Sequence, residues 1–328
     1  MSENVFLYNP VEGETTVAGR LTGCILSPSY AVRQLRSETH RERVIGIIDQ
    51  AISRLQDYFL AVEEIQLELA HQIGDYLLPH DDGSHGERGF ISLAGDPYFE
   101  LDSGAMAEEA DRYRAVDRTM VVQAPVTGSG LELIGWLLRQ GNPVLATGVM
   151  SVSQLEALHD VWSTSYSQKG KEPPVYALFL QTAFIRYLSR VVKHGNARLG
   201  VDDLLEAGRL MADRLAQVCA GYEGRVELLV CFQDQEEGRA AVIGPRPERA
   251  IDEGQIRVAQ RQPVDAARIE HLTKALPVFE RAWLSRSIGV REFLSYGPVE
   301  YIRGAWVNST DDLLEVIRKR RHDIRRIP

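Results

Sequence analysis

The sequence predicts an α/β protein, a (β/α)8 TIM barrel of parallel strands with extra C-terminal helices. Short β-branched or apolar runs alternate with longer segments of helical spacing, the pattern of parallel βαβ units. Eight such runs precede residue 264, enough to close a sheet on itself. Beyond Val264 the strand-like runs stop and only helical spacing continues. The chain therefore divides into a barrel over 1–263 and a helical, aromatic-rich extension over 264–328 packed on it. Its 328 residues are compatible with a single α/β barrel.

Val5-Phe6-Leu7-Tyr8 and Gly23-Cys24-Ile25-Leu26 read as the first two strands. Val44, Ile47, Ile48, Ala51, Ile52, Leu55 and Phe59 follow at helical spacing, and Val62, Ile65, Leu69 and Tyr76 continue in a second helix that stops near Pro79. Phe90 to Leu93 is a third strand and Thr119 to Val122 a fourth. Leu131 to Arg139 is helical, Pro143 to Thr147 a strand, Val152 to Trp162 helical, and Val175 to Leu180 a sixth strand. A long helix is expected over Val201–Ala220, a seventh strand over Val226–Val230 and a weaker eighth over Gln255–Ala259. In the extension, Phe279, Trp283, Phe293, Tyr296, Tyr301 and Trp306 suit a cap over the barrel mouth. The last helix is expected to open at Ser309-Thr310-Asp311-Asp312, an N-cap with an acidic first turn, and to close on Arg318-Lys319-Arg320-Arg321.

Composition narrows the function classes. There are 37 lysines and arginines against 46 aspartates and glutamates, a formal net charge of −9. That balance argues against nucleic acid as the main partner, because phosphate neutralisation needs a basic face. No apolar run reaches the length of a membrane span, and the first residues lack the basic-then-apolar order of a secretory signal. Cys24, Cys219 and Cys231 are an odd set without metal-ligand spacing, so a cytoplasmic, reduced protein is expected. Only five of the basic residues are lysines, none of them in the first 168 positions. No side-chain amine in the first half can act as a nucleophile.

Several stretches, in order, resemble the transaldolase family, particularly its longer bacterial form. Gly23-Cys24-Ile25-Leu26-Ser27-Pro28 resembles that family's Gly-Val-Thr-Ser-Asn-Pro strand end, and Leu60-Ala61-Val62-Glu63-Glu64-Ile65 its Leu-Ala-Val-Glu-Asp-Ile. Gly89 to Pro97 is similar to Gly-Tyr-Val-Ser-Ile-Glu-Val-Asp-Pro, and Val121 to Leu131 to Met-Ile-Lys-Ile-Pro-Ala-Thr-x-x-Gly-Leu. The resemblance spans roughly residues 4–235 and implies a (β/α)8 barrel acting on sugar phosphates. It also implies a fourth-strand lysine that forms an imine with a ketose. Here that position is Gln123, and an amide cannot form an imine. The third-strand glutamate is replaced by Ala94, the second-strand asparagine by Ser27, and the first-strand aspartate by Tyr8 when Leu7-Tyr8-Asn9 is set on the family's strand end. Thr127 and Thr147 persist. The lysine, glutamate, asparagine and aspartate are lost together, so Schiff-base chemistry is not expected.

Barrels of this kind react at the C-terminal ends of their strands. The resembled pattern also has aspartate at Asp96, so a structural duty explains that residue more readily. If acid–base catalysis operates there, Asp96 with Tyr8 is the pair the sequence offers, with Gln123 and Thr147 beside it. Ser27, Thr127, Gln181, Arg186 and Cys231 are the expected substrate-binding set. The family's phosphate-binding arginine falls on Arg186 with either Gln181 or Thr182 at the preceding serine position, and a salt bridge to a barrel carboxylate explains Arg186 equally well. Gly128-Ser129-Gly130 reads as a tight turn more readily than as a phosphate cradle. His80-Asp81-Asp82-Gly83-Ser84-His85-Gly86-Glu87 reads as a solvated loop on the opposite face, so no metal site is expected. Asp202-Asp203-x-x-Glu206 and Asp311-Asp312-x-x-Glu315 look like diphosphate–Mg²⁺ boxes, but helix capping explains their carboxylates. No cofactor is expected, and Mg²⁺ enters only with a diphosphate substrate.

Three functions fit these residues. The first is a repurposed enzyme of isomerase, lyase or cyclase type, doing acid–base chemistry on a phosphorylated or diphosphate small molecule. The second is a non-catalytic homologue that binds a metabolite or a partner protein. The third, a transaldolase with a relocated lysine such as Lys193, fits least, because that residue falls at a helix end. Barrels of this family commonly associate, so a homo-oligomer is a further expectation.

Overall fold

The computed structural model describes residues 6–10, 23–77, 90–116, 120–165, 173–195, 199–222, 225–231, 241–243 and 266–324. Aliphatic runs form short strands, which between Gly23 and Cys231 are largely buried on both faces, as parallel strands covered by helices must be. They are β1 (Phe6–Tyr8), β2 (Gly23–Leu26), β3 (Phe90–Ala94), β4 (Met120–Pro125), β5 (Val144–Thr147), β6 (Val175–Leu180), β7 (Glu227–Cys231) and β8 (Ala241–Ile243). β1 to β7 pair in sequence order and in parallel, giving seven strands of a nearly closed barrel.

β8 departs from the expected pattern. It runs antiparallel beside β1, with Tyr8 opposite Ala241 and Phe6 opposite Ile243, and it also lies next to β7. A parallel return needs a crossover of about a dozen residues or more, and the connection over 232–240 is shorter. The expected strand at Gln255–Ala259 and the His80–Glu87 segment lie outside the described residues.

Helices α1 (Tyr30–Arg36), α2 (Arg41–Arg54) and α3 (Tyr58–Leu77) stand between β2 and β3. The helical spacing through Phe59 hides a break, because Asp57 accepts the Phe59 and Leu60 amides at 2.8 and 3.0 Å and starts α3. α4 (Ser103–Val116) is a helix not anticipated above, and α5 (Gly128–Arg139), α6 (Val152–Ser165), α7 (Gln181–His194) and α8 (Val201–Ala220) follow the later strands. Asp203 accepts the Gly200 amide at 2.7 Å and pairs with Arg268, so the first acidic box is a helix start as expected.

The extension holds α9 (Ala266–Ala275), α10 (Pro277–Trp283) and a single long helix, α11 (Gly297–Ile324). Ser309-Thr310-Asp311-Asp312 is therefore interior helix, which corrects the expected N-cap. Its carboxylates find tertiary partners instead: Asp311 accepts the Tyr98 hydroxyl at 2.6 Å, and Asp312 pairs with Arg36 at 3.2 Å. The basic run is a clamp on α2. Arg320 is bidentate on Asp49 at 2.7 Å, and buried Arg321 donates to the Leu55 and Gln56 carbonyls where α2 ends.

Two apolar clusters result. One fills the barrel and reaches the helices α4 to α8, and it includes Phe279, Phe293 and Tyr296 of the extension. The other lies under α1 to α3, where Cys24, Leu26, Ile91 and Leu93 meet Leu313, Leu314 and Ile317 of α11. Among the described residues no helix is long and apolar enough to cross a membrane.

Candidate active site

Strand alternation decides which side chains face the barrel axis. Cys24, Leu26, Ile91 and Leu93 point out into the cluster under α1 to α3. Their neighbours Ile25, Ser27, Ser92 and Ala94 therefore point inward. Register then places Tyr8 beside Ile25, Gln123 beside Ala94, Thr147 beside Pro125 and Cys231 beside Leu180.

This inner set is tied up by its own hydrogen bonds. Gln123 donates its amide nitrogen to the Leu26 and Ser92 carbonyls at 2.8 and 3.1 Å. Asn9 adopts a left-handed backbone, φ 49°, which Asn tolerates better than most residues. Its side chain donates to Ser27 Oγ and accepts the Ser27 amide, both at 2.8 Å. Burial, with the Cys231 sulfur second, pushes the Tyr8 hydroxyl well above its ordinary range, against a hydrogen bond with Ser27. A cavity of about 20 Å³ touches Gln123, Pro125 and Thr147 under Trp306. That is room for about one water.

The other expected site residues have structural duties. Thr127 caps α5, accepting the Gly130 amide at 3.2 Å. Gly128-Ser129-Gly130 is the tight turn foreseen, because a Cβ on Gly130 would collide with the Pro125 carbonyl. Gln181 is the first residue of α7, buried, and its side-chain oxygen meets no donor among the described residues. Arg186 is half-buried on the second turn of α7, and Lys193 is exposed on its last turn. Asp96 and Tyr8 are not brought together. Tyr8 feels Cys231, Ser27 and Arg33, whereas Asp96 feels Tyr98, Glu63 and Asp311 and borders the small cavity with Gln123 and Thr147.

A different set of acids gathers where β3 gives way to α4. Gly95 leaves space that the Glu109 carboxylate occupies, and a Cβ there would run into it. Glu109 is 4% exposed. It accepts the Asp96 amide at 3.0 and 3.2 Å and the Tyr113 hydroxyl at 2.7 Å. Burial pushes its carboxyl up to about 7, although both hydrogen bonds favour the charged form. Asp96 is raised as well, by burial first and then by Glu63 and Asp311. Glu100, beside the same small cavity, is pushed up to about 7 by burial despite the Arg303 guanidinium at 2.8 Å. Glu63 is neutralised by a bidentate Arg112, both bonds 2.7 Å.

Glu109 lines the small cavity on one side and a groove of about 280 Å³ between α3, α4 and α11 on the other. A carboxyl that titrates near neutrality can both take and return a proton, and such groups concentrate at functional sites. Sequence reasoning found Asp96 but missed Glu109, Tyr113, Glu100 and Gln66. The available signals were Gly95, standing where the resembled pattern has valine, and the Glu109–Tyr113 pair at i, i+4.

A family model described as Transaldolase/Fructose-6-phosphate aldolase matches residues 29–228, which covers every element from α1 to the first two residues of β7. No curated protein matches the chain.

Proposed function

The chain belongs to the transaldolase/fructose-6-phosphate aldolase family, and on that premise we propose that it is a repurposed member: it forms no imine on β4 and instead moves protons with the carboxylates at the end of β3. The observation that carries this reading is the seat of Glu109. The third strand lacks a carboxylate at Ala94, and α4 delivers one over the adjacent Gly95. Glu109 in its charged form takes a proton from a carbon next to a carbonyl, and the electron pair moves onto the carbonyl oxygen. In an α-hydroxy carbonyl compound the acid so formed then returns the proton to the former carbonyl carbon while the α-hydroxyl proton passes to the enolate oxygen, which is an isomerisation. Alternatively, the electron pair returns from oxygen and expels a leaving group from the next carbon along. That group departs with the proton from Glu109, which is a lyase step. Asp96 and Tyr113 are positioning residues that orient the Glu109 carboxylate. Gln123, held by two main-chain carbonyls, supplies no nucleophile.

Proton transfer is tested by deuterium wash-in. The protein is incubated in D2O with ketoses, ketose phosphates and amino ketones, and exchange next to the carbonyl is followed by NMR. Exchange with one class, lowered about 10²–10⁴-fold in Glu109→Gln, is the expected result. Borohydride trapping of a covalent ketose adduct would return the protein to Schiff-base chemistry. The second reading is a binding protein without turnover. The hydrogen bonds of Glu109 favour it, since they also fasten the β3–α4 loop. Ligand binding without exchange in any class would select it.

A further inference from the structure

We infer that the groove between α3, α4 and α11 binds a small organic cation through its ammonium group, so that a substrate handled there carries an amine. The binding claim stands on the groove alone, and only the word substrate rests on the proton-transfer reading above.

Charge comes first. The groove presents Asp57, Glu63, Asp96, Glu108 and Glu109 against a single guanidinium, that of Arg112. Arg112 is already bidentate on Glu63 and feels Glu109 more weakly, and among the described residues no cation makes an ion pair with Asp57, Asp96, Glu108 or Glu109. A phosphate placed there would be repelled at close range, whereas an ammonium supplies three donors to oxygen acceptors.

The second observation is independent of charge. Gln66, on the α3 face that lines the groove, is 8% exposed, and its side-chain amide makes no hydrogen bond among the described residues. Thr310, lining the groove from α11, is 1% exposed, and its enclosed hydroxyl also meets no partner among the described residues. Such a buried polar group costs stability unless a ligand or water satisfies it. The Gln66 amide oxygen is a neutral acceptor on the lining it shares with Asp96 and Glu109, and a primary ammonium needs three acceptors.

The walls favour an alkylammonium over a bare metal ion. Phe59, Leu60, Val62 and Phe99 line the same space, and Phe59 is 40% exposed with its ring edge-on to Tyr98 at 5.8 Å. Aromatic and aliphatic walls suit methylenes and a cation over a ring face. Among the described residues no three His, Cys, Asp or Glu side chains are arranged to hold a metal ion.

The test is calorimetric titration and thermal shift of the full chain with butylamine hydrochloride, beside butan-1-ol, sodium butyrate and magnesium chloride. Saturable binding of butylamine alone is expected. It should weaken about ten-fold in Asp96→Asn and several-fold in Gln66→Met, a substitution close in size that removes the unpartnered amide and should melt no lower than the parent. Equal binding of butan-1-ol, an unchanged affinity in both variants, a response to magnesium only, or no saturable binding would each overturn the inference. Butylamine binding without deuterium exchange on any amino ketone would keep the cation site and remove the proton-transfer reading. Exchange on ketose phosphates without butylamine binding would do the reverse.

Discussion

Gln123 shows how one side chain closes off one chemistry. Its carboxamide donates to two main-chain carbonyls of neighbouring strands, so replacing it by methionine leaves both acceptors buried without that donor. Gln123→Met should therefore lose about 1–3 kcal/mol of stability in urea unfolding, despite the close match in volume. Glu109 carries the opposite kind of information. Its folded carboxyl is raised from 4.5 to about 7 by burial, so the native state holds the proton more tightly than the unfolded chain does. Its contribution to stability is then full below about pH 4.5, falls as pH rises toward 7, and is gone above that, a loss of up to about 3 kcal/mol. Glu109→Gln should flatten that slope between about pH 4.5 and pH 7 in denaturant titrations; an unchanged slope would mean that Glu109 is charged throughout. Gln123 was legible in the sequence because it stands in a strand with a recognisable neighbourhood. Glu109 was not, because its partner Gly95 lies fourteen positions earlier on another element, and only the turn from β3 into α4 brings them together.

Elements divide by how their ends are made. The strands β3 to β7 and helix α8 were readable to within a few residues, because apolar runs bounded by turns have a short-range signature. α11 was not, and the reason is instructive. A Ser-Thr-Asp-Asp stretch suits an N-cap, but it equally suits the middle of a helix whose carboxylates meet Tyr98 and Arg36. The two arrangements differ in cost: a lost cap is worth typically about 1 kcal/mol, whereas Ser309→Ala should stay within about 0.5 kcal/mol here. Arg321→Ala should cost more, about 2 kcal/mol, because it leaves the Leu55 and Gln56 carbonyls without a charged donor. Gly95→Val, which installs the residue of the resembled pattern, should destabilise by about 1–3 kcal/mol by driving out the Glu109 carboxylate. Thermal or urea unfolding of the three variants checks the order.

Across the whole molecule, the barrel is uneven in how firmly it closes. β3, β4 and β5 pair along several residues on each side, whereas β1 and β8 each contribute three residues to an antiparallel seam. Amide exchange should therefore be faster at β1 and β8 than at β4, since a short ladder opens at lower free energy. Equal protection across all strands would contradict this. The two-cluster core adds a consequence for synthesis. The cluster under α1 to α3 runs from Cys24 to Met120 and is completed only by Leu313, Leu314 and Ile317. At about 5–20 residues per second, a ribosome delivers those last three side chains roughly 10–40 s after Met120. During that interval the nascent N-terminal half shows apolar surface with no partner yet made, the window in which chaperone capture is most useful.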